Sequence, residues 1–276
     1  MQTEVTVLIT TYNRESFICQ AINSVINQTC RNWKILLVDD GSSDNTIEKV
    51  ETYFPKGMPI TIIHNPTNLG QSRSLNIGLA QIDTPYLVQL DSDDLFYPFT
   101  IEVLINEARK QPADIAVIYG NYLKTFLDNN GTIIKSILRK GRPYPERCRF
   151  LSSKQTLRPR FYRTSALKTI GGWPTDDPYN GRYAEDIRVL TRLIESYRFH
   201  WINQVLYIYN KHTGNLTNQK NIYGEALDWI LFDTLKRWGD RYTPIFETNY
   251  QGWKTFKGLI PKKNKKNSLK TRSYSK

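Results

Sequence analysis

The chain has 276 residues, 39% of them hydrophobic and 12% aromatic, enough for one large or two modest folded domains. No apolar run approaches the roughly 18–20 residues that a membrane-spanning helix needs, and the N-terminus lacks the basic-then-apolar pattern of a signal peptide. Cys19, Cys30 and Cys148 form no close pair, which argues against a disulfide framework or a zinc site and for a reducing, cytoplasmic setting. Of the net charge of +12, Lys262, Lys263, Lys265, Lys266, Lys270, Arg272 and Lys276 supply more than half. The basicity therefore belongs mainly to the tail and says little about the main domain.

The first half of the chain alternates short β-branched runs with amphipathic stretches. Residues Val5–Thr10, Trp33–Val38, Ile60–His64, Tyr86–Leu90 and Ile115–Tyr119 read as strands. Between the first two, Phe17, Ala21 and Val25 repeat at helical spacing, as do Ile18, Ile22 and Ile26. Further helices are expected over Thr46–Tyr53, Leu69–Gln81 and Thr100–Lys110. Such alternation predicts an α/β fold with a mostly parallel sheet covered on both faces. Asp128-Asn129-Asn130-Gly131 marks a turn between two short strands. Gly171-Gly172-Trp173-Pro174 reads as a tight turn, and a helix begins near Glu185 with Ile187, Leu190 and Ile194 on its buried face. Glu225–Trp238 is the last amphipathic helix. The expected organisation is a main domain over 1–218, a helical extension over 219–260 and a basic tail over 261–276.

In parallel sheets, ligands sit beyond the carboxyl ends of the strands. Three polar motifs fall there: Thr10-Thr11-Tyr12-Asn13-Arg14, Asp39-Asp40-Gly41-Ser42-Ser43-Asp44, and Asp91-Ser92-Asp93-Asp94. Ser43 or Asp44 suffices to cap the next helix, so the two preceding aspartates exceed that need and suit a nucleobase N–H or a ribose hydroxyl. Three carboxylates within four residues repel one another unless a hard cation sits among them. Oxygen donors point to Mn²⁺ or Mg²⁺, which bridges a diphosphate to a protein. Glu185-Asp186 alone reads as first-turn acids on a helix dipole. His212 alone reads as a surface histidine, and Arg73 as decoration of a helix N-terminus that nevertheless suits phosphate.

Taken in order, these segments resemble the family 2 glycosyltransferases of GT-A fold. The resemblance runs through Val7–Arg14, Ser24–Thr29, Leu37–Thr46, Asn68-Leu69-Gly70, Asn76-Ile77-Gly78, Leu90–Asp94, Gly171-Gly172-Trp173 and Ala184-Glu185-Asp186, covering roughly residues 4–215. It implies that Thr10 and Asp40, with Tyr12 and Asp39 nearby, hold the nucleobase. Asp91, Ser92 and Asp93, with Asp94 adjacent, would hold the metal and the sugar nucleotide. Asp186 becomes the general base, Glu185 and Trp173 become auxiliary residues, and His212 reaches the diphosphate or the metal. Many relatives carry Arg directly before the Asn of the Gly-rich segment, where this chain has Leu75; Arg73 stands two residues before Leu75. The Gln-x-x-Arg-Trp motif and membrane helices of the processive synthases are missing from this sequence, which favours a non-processive enzyme that adds one sugar; the resemblance implies that it does so with inversion.

The partners so implied are a nucleotide-diphosphate sugar, a UDP-sugar by preference, and a carbohydrate or lipid-linked acceptor in polysaccharide, lipopolysaccharide or glycolipid synthesis. Trp253, Phe256, Leu259 and Ile260 with the basic tail could hold an anionic membrane surface, giving a peripheral location. Two other classes compete: a haloacid-dehalogenase phosphohydrolase with Asp39 as nucleophile and Asp93-Asp94 on Mg²⁺, and a basic nucleic-acid-binding protein. No nucleic-acid module is recognisable, so no specific nucleic-acid partner is expected.

Overall fold

The computed structural model describes residues 2–153, 156–215, 218–248 and 254–262. Its first half is the expected alternation: β1 (Val5–Thr11), α1 (Ile18–Ile26), β2 (Trp33–Asp39), α2 (Thr46–Tyr53), β3 (Ile60–His64), α3 (Gln71–Ala80) and β4 (Tyr86–Asp91). β1 pairs in parallel with β2 on one side and β4 on the other, and β2 with β3. Every residue of β1 is buried, since helices cover both faces of the sheet. Ile18, Ala21, Ile22 and Val25 are the buried face of α1, at the spacing the sequence shows. The register sets Thr10 level with Asp91 and Thr11 level with Asp39. Three polar motifs far apart in sequence thus meet at one sheet edge.

The second half begins with β5 (Leu95–Phe96), α4 (Thr100–Ala108), β6 (Ile115–Leu127), β7 (Ile133–Arg139) and α5 (Arg147–Ser153). It continues through β8 (Arg160–Arg163), α6 (Thr164–Thr169), α7 (Glu185–Leu193) and β9 (Arg198–Lys211). The main sheet runs β3-β2-β1-β4-β8-β6-β9-β5, and β7 adds to β6 as a hairpin. β8 is antiparallel to both β4 and β6, so it joins the parallel half to the rest. β6 extends eight residues past its expected end at Tyr119. Gly120 does not break it, because a Cβ there would stand 2.7 Å from the Gln204 carbonyl oxygen, a close approach only glycine permits.

The extension was expected to be helical to residue 260, and here the structure corrects the sequence. Helix α8 (Lys220–Arg237) ends at Gly239 and Asp240, both at positive φ, whose N–H groups bond back to Lys236 and Leu235. Strands β10 (Tyr242–Thr248) and β11 (Lys254–Pro261) then form an antiparallel hairpin. Thr243, Ile245, Phe256 and Ile260 are β-formers, and Pro244 cannot stand in a helix interior. Phe256, Leu259 and Ile260 of the expected membrane anchor lie on β11; Trp253 and residues 263–276 fall outside the described residues. No helix among the described residues is long and apolar enough to cross a membrane.

Candidate active site

A cleft opens over the carboxyl ends of β1, β2 and β4 in two connected lobes. Thr10, Arg14, Gln71, Ser92, Arg182 and Tyr183 line both. The first lobe adds Tyr12, Asp40, Asn68 and Gly70; the second adds Asp91, Asp93, Arg158, Arg160, Glu185, Asp186, Tyr209, Asn215 and Tyr223.

In the first lobe, Asn13 takes the left-handed conformation that asparagine tolerates. It ties the first two motifs together: its N–H donates to Ser42 Oγ at 3.0 Å, and its Oδ1 accepts the Ser43 N–H at 2.8 Å. Gly41 (φ 75°) closes the turn, where a Cβ would sit 2.8 Å from the Thr67 carbonyl carbon. The Thr10 and Thr11 hydroxyls are buried without any protein partner, and an orphaned hydroxyl at a cleft is ready for a ligand. Tyr12 stands 43% exposed on the rim.

Asp40 is already occupied by its own protein. Its Oδ1 accepts from Leu69 N–H (2.8 Å), Asn65 Nδ2 (3.0 Å) and Ser74 Oγ (2.7 Å), and its Oδ2 from Gly70 N–H at 2.9 Å. Asp39 is buried, accepts the Ser42 N–H at 3.1 Å, and lies 3.6 Å from His64 Nδ1. It does not line the cleft, so it is not placed to attack a phosphate as a nucleophile.

The acidic cluster divides its three carboxylates among three fates. Asp91, the last residue of β4, receives a bidentate pair from Arg160 Nη2 at 2.8 and 3.0 Å. Burial alone would raise its carboxyl, but the Arg160 and Arg158 charges outweigh burial and hold it below the usual carboxylate value. Asp94 has no exposed surface and takes the Tyr207 hydroxyl and the Asn210 N–H, each at 2.8 Å. Burial, then the charges of Asp93 and Asp91, push its carboxyl well above the usual range. The expected place for Asp94 beside a metal is thus corrected: it locks β9 to the loop after β4. Asp93 lines the cleft with Asp91, and its Oδ2 lies 3.0 Å from His212 Nε2 and 3.5 Å from both Arg14 Nε and Asn215 Nδ2.

Among the described residues, no three carboxylate, imidazole or thiol groups stand together as a self-sufficient metal site. Mn²⁺ or Mg²⁺ needs only one or two carboxylates when substrate phosphates fill the other positions, and Asp93 with Asp91 behind it meets that need. His212 stacks on Phe17 with centroids 4.4 Å apart, and its Nδ1 accepts the Gly214 N–H at 3.1 Å. That bond assigns the proton to Nε2, which donates to Asp93. His212 would join a metal only after giving up that proton.

Arg160 completes the site, and the sequence reading did not single it out. It is 2% exposed; besides its grip on Asp91, its Nη1 lies 3.3 Å from Asp186 Oδ2 and its Nε donates to Gln89 at 3.2 Å. One guanidinium therefore fixes the distance between the expected donor-side and base carboxylates. A signal was present: Arg158-Pro159-Arg160 runs straight into Phe161-Tyr162, and an arginine in a buried strand needs a carboxylate. Ala184, left-handed at φ 52°, turns the chain so that Glu185 and Asp186 open α7 towards the cleft. Asp186 Oδ1 accepts the Ile187 N–H at 2.8 Å, and Oδ2, which accepts from Arg160, keeps capacity for one more hydrogen bond. Burial, reinforced by the Asp186 charge, pushes the Glu185 carboxyl up to about 8.

Two expectations fail on position. Arg73 is exposed on α3 and lines neither lobe, because it falls on the helix face opposite Ser72, Leu75 and Leu79. Arg182 stands at the junction of the lobes instead, its Nη2 donating to the Asn68 carbonyl at 3.0 Å. Trp173 is 1% exposed in the core against Tyr162, with its backbone held by Asn76, and touches no cleft.

Comparison with known proteins agrees with this geometry. The sequence pattern of glycosyl transferase family 2 matches residues 6–168. The chain belongs to that family. A Haemophilus influenzae protein named an uncharacterized glycosyltransferase is 36% identical over 137 residues, 50% of this chain and 42% of that protein. The chondroitin synthase of Pasteurella multocida is 26% identical over 220 residues, 79% of this chain but 22% of the synthase. The chain spans between 38% and 52% of the lengths of the first curated relatives it matches. Staphylococcus aureus TarS 1–349 in complex with UDP-GlcNAc superposes with a TM-score of 0.62 at 20% identity, over 84% of this chain and 66% of that one. A mannosyltransferase from Pyrobaculum calidifontis, in complex with GDP-Man and Mn²⁺, gives 0.61 at 16% identity, over 86% and 65%. These likenesses establish the GT-A fold, and family membership removes the phosphohydrolase and nucleic-acid readings.

Proposed function

We propose that this glycosyltransferase moves one sugar from a nucleotide-diphosphate donor to an acceptor hydroxyl with inversion. The observation that carries this reading is the Asp91–Arg160–Asp186 bridge, which sets an open carboxylate across the cleft from the donor-side acids. The nucleobase lies in the first lobe against the unpartnered Thr10 hydroxyl, with Tyr12 and the structured Asp40 turn as its walls. Arg182, rather than Arg73, meets the diphosphate at the junction of the lobes, with Arg14 opposite. Mn²⁺ or Mg²⁺, held by Asp93 with Asp91 and in reach of His212, would supply positive charge to the leaving diphosphate.

Asp186 Oδ2 takes the proton of the acceptor hydroxyl as that oxygen bonds to the anomeric carbon. The bond from that carbon to the diphosphate oxygen breaks on the opposite face, and its electron pair leaves with the nucleotide. A carboxylate serves as base here because the hydroxyl becomes acidic as the new bond forms. Arg160 holds the base in place, and Glu185, neutral at pH 7, adds no second charge beside it. A UDP-sugar is the favoured donor, on the analogy of the UDP-GlcNAc complex of TarS. The acceptor is a carbohydrate or lipid-linked saccharide, as for the Escherichia coli glucosyltransferase that acts on a diphosphoundecaprenol, 32% identical over 133 residues. Phe256, Leu259 and Ile260 with the basic tail would bring the enzyme to an anionic membrane.

Asp186→Asn should keep nucleotide-sugar binding, read as a thermal shift with Mn²⁺, and lose transfer by at least about a hundredfold. Full transfer by the variant would remove Asp186 from the mechanism. A thermal-shift panel of nucleotide sugars identifies the donor, and a panel with no shift for any of them would defeat the reading.

A further inference from the structure

Beside the cleft, a second cavity of roughly 250 Å³ opens on the β6–β7 hairpin. Lys124, Arg139 and Lys140 line it together with Tyr122, and no acidic residue does. Tyr122 stands opposite Arg139 in the antiparallel ladder, and Lys124 opposite Ile137. Directly opposed residues share a face, so Tyr122, Lys124 and Arg139 point the same way. Lys124 is half-buried, with its Nζ 5.0 Å from the centre of the Phe126 ring and 5.6 Å from that of Tyr209. Among the described residues, no carboxylate pairs with Lys124, Arg139 or Lys140. Burial, then the Arg139 and Arg158 charges, hold the Lys124 ammonium below its ordinary value. A cation crowded by cations, and given no acid by its own chain, is a local expense that a bound anion would remove.

The wall between this cavity and the active cleft is thin. Tyr122 and Tyr209 meet edge to face at 6.4 Å, and the Arg158 guanidinium lies 4.4 Å over Tyr209 and 5.5 Å over Tyr122. Arg158 and Tyr209 line the cleft that holds Asp186, whereas Tyr122 and Lys124 line the basic cavity. Aromatic faces suit a sugar ring, and the cations beyond them suit a phosphate.

We propose that the Lys124–Arg139–Lys140 cavity binds a phosphate ester of the acceptor, whose sugar lies over Tyr209 and Tyr122 with its hydroxyl towards Asp186. The anion site stands on its own geometry; calling its ligand the acceptor rests on the glycosyltransferase reading. The phosphate could belong to a lipid-linked diphosphate or to a phosphodiester polymer.

The test uses the full chain and the variant Lys124→Gln/Arg139→Gln, titrated calorimetrically with inorganic pyrophosphate in buffer containing Mg²⁺ and saturating UDP, which occupies the donor site. Wild type should bind pyrophosphate, and the variant should bind at least about tenfold more weakly, since charge-assisted contacts are lost. Lys124→Arg/Arg139→Lys should retain binding, which separates lost charge from lost fold. Equal binding by wild type and the glutamine variant overturns the proposal. Decyl diphosphate micelles and a glycerol phosphate oligomer then distinguish the sources: whichever binds in a Lys124- and Arg139-dependent way identifies the acceptor class. Dependence for neither overturns the acceptor assignment. Loss of every nucleotide-sugar thermal shift with the pyrophosphate site intact would instead defeat the glycosyltransferase reading and leave the anion site standing.

Discussion

Two aspartate clusters end β2 and β4, the strands on either side of β1 in the parallel half of the sheet, yet their chemistry is opposite. At Asp39-Asp40 the carboxylates turn inward: Asp40 collects four protein donors from the 65–74 segment and Asp39 holds the Ser42 turn. At Asp91–Asp94 the charges are parted, one to Arg160, one into the interior, and one to the cleft. Repulsion within the second cluster is therefore largely answered by arginine and by burial. The charge left for a cation is chiefly that of Asp93. Crowded acids do not by themselves indicate a metal; what matters is which carboxylate keeps its charge at the cleft with only side-chain partners.

Arg160→Met should break this contrast most severely. It strips the buried partner from Asp91 and Asp186 at once, so a loss of about 3–5 kcal/mol in urea denaturation is expected, and native-like stability would show the bridge to be unimportant. Asp40→Ala comes next. Its buried donors lose their acceptor, for an expected cost of about 2–3 kcal/mol in the same measurement. Asp93→Asn should lie at the other extreme. Its partners are side chains at the cleft, so stability should change by less than about 1 kcal/mol, while the Mn²⁺ dependence of nucleotide binding disappears. A large stability loss at Asp93, or an Mn²⁺ dependence left intact, would erase the distinction between the clusters.

Glu185→Gln should change stability little at acid pH and carries instead a pH signature. The folded carboxyl titrates at about 8 against an ordinary 4.5, so folding favours the protonated form. Its contribution is fully present below pH 4.5 and is lost as pH rises through about 8. Thermal melts should show wild type losing stability relative to Glu185→Gln across that window, with a constant difference above it. A flat difference throughout would mean that Glu185 ionises normally.

The parallel half of the fold was legible because its strands are short, β-branched and buried on both faces, and its helices carry apolar residues at helical spacing. Ile18, Ala21, Ile22 and Val25 behave as their spacing says. The second half was less legible. Strand β6 passes from the apolar run Ile115–Tyr119 into Gly120, Asn121, Lys124 and Thr125, and β9 opens with Arg198, His200, Asn203 and Gln204 before Val205–Tyr209, since part of each faces solvent or the cleft, so neither is apolar along its whole length. Within the site, the strand-end motifs could be read from topology, whereas Arg182 and Tyr209 reach the cleft from segments with no local signature, and the two arginines beside Pro159 signal only that a carboxylate is needed, not which one.

By itself the sequence determined the α/β class, the parallel strand order's polar edge, and the family. Those follow from periodicity and from short motifs that local backbone geometry reads directly. Only the tertiary structure decided which acids are free and which arginine restrains them. Whether a carboxylate is a ligand or a clamp depends on donors brought within about 3 Å by strands far apart in the chain. Arg160 meets Asp91 across 69 residues of sequence and Asp186 across 26. Spacing along the chain does not encode those distances; the antiparallel pairing of β8 with β4 sets the first.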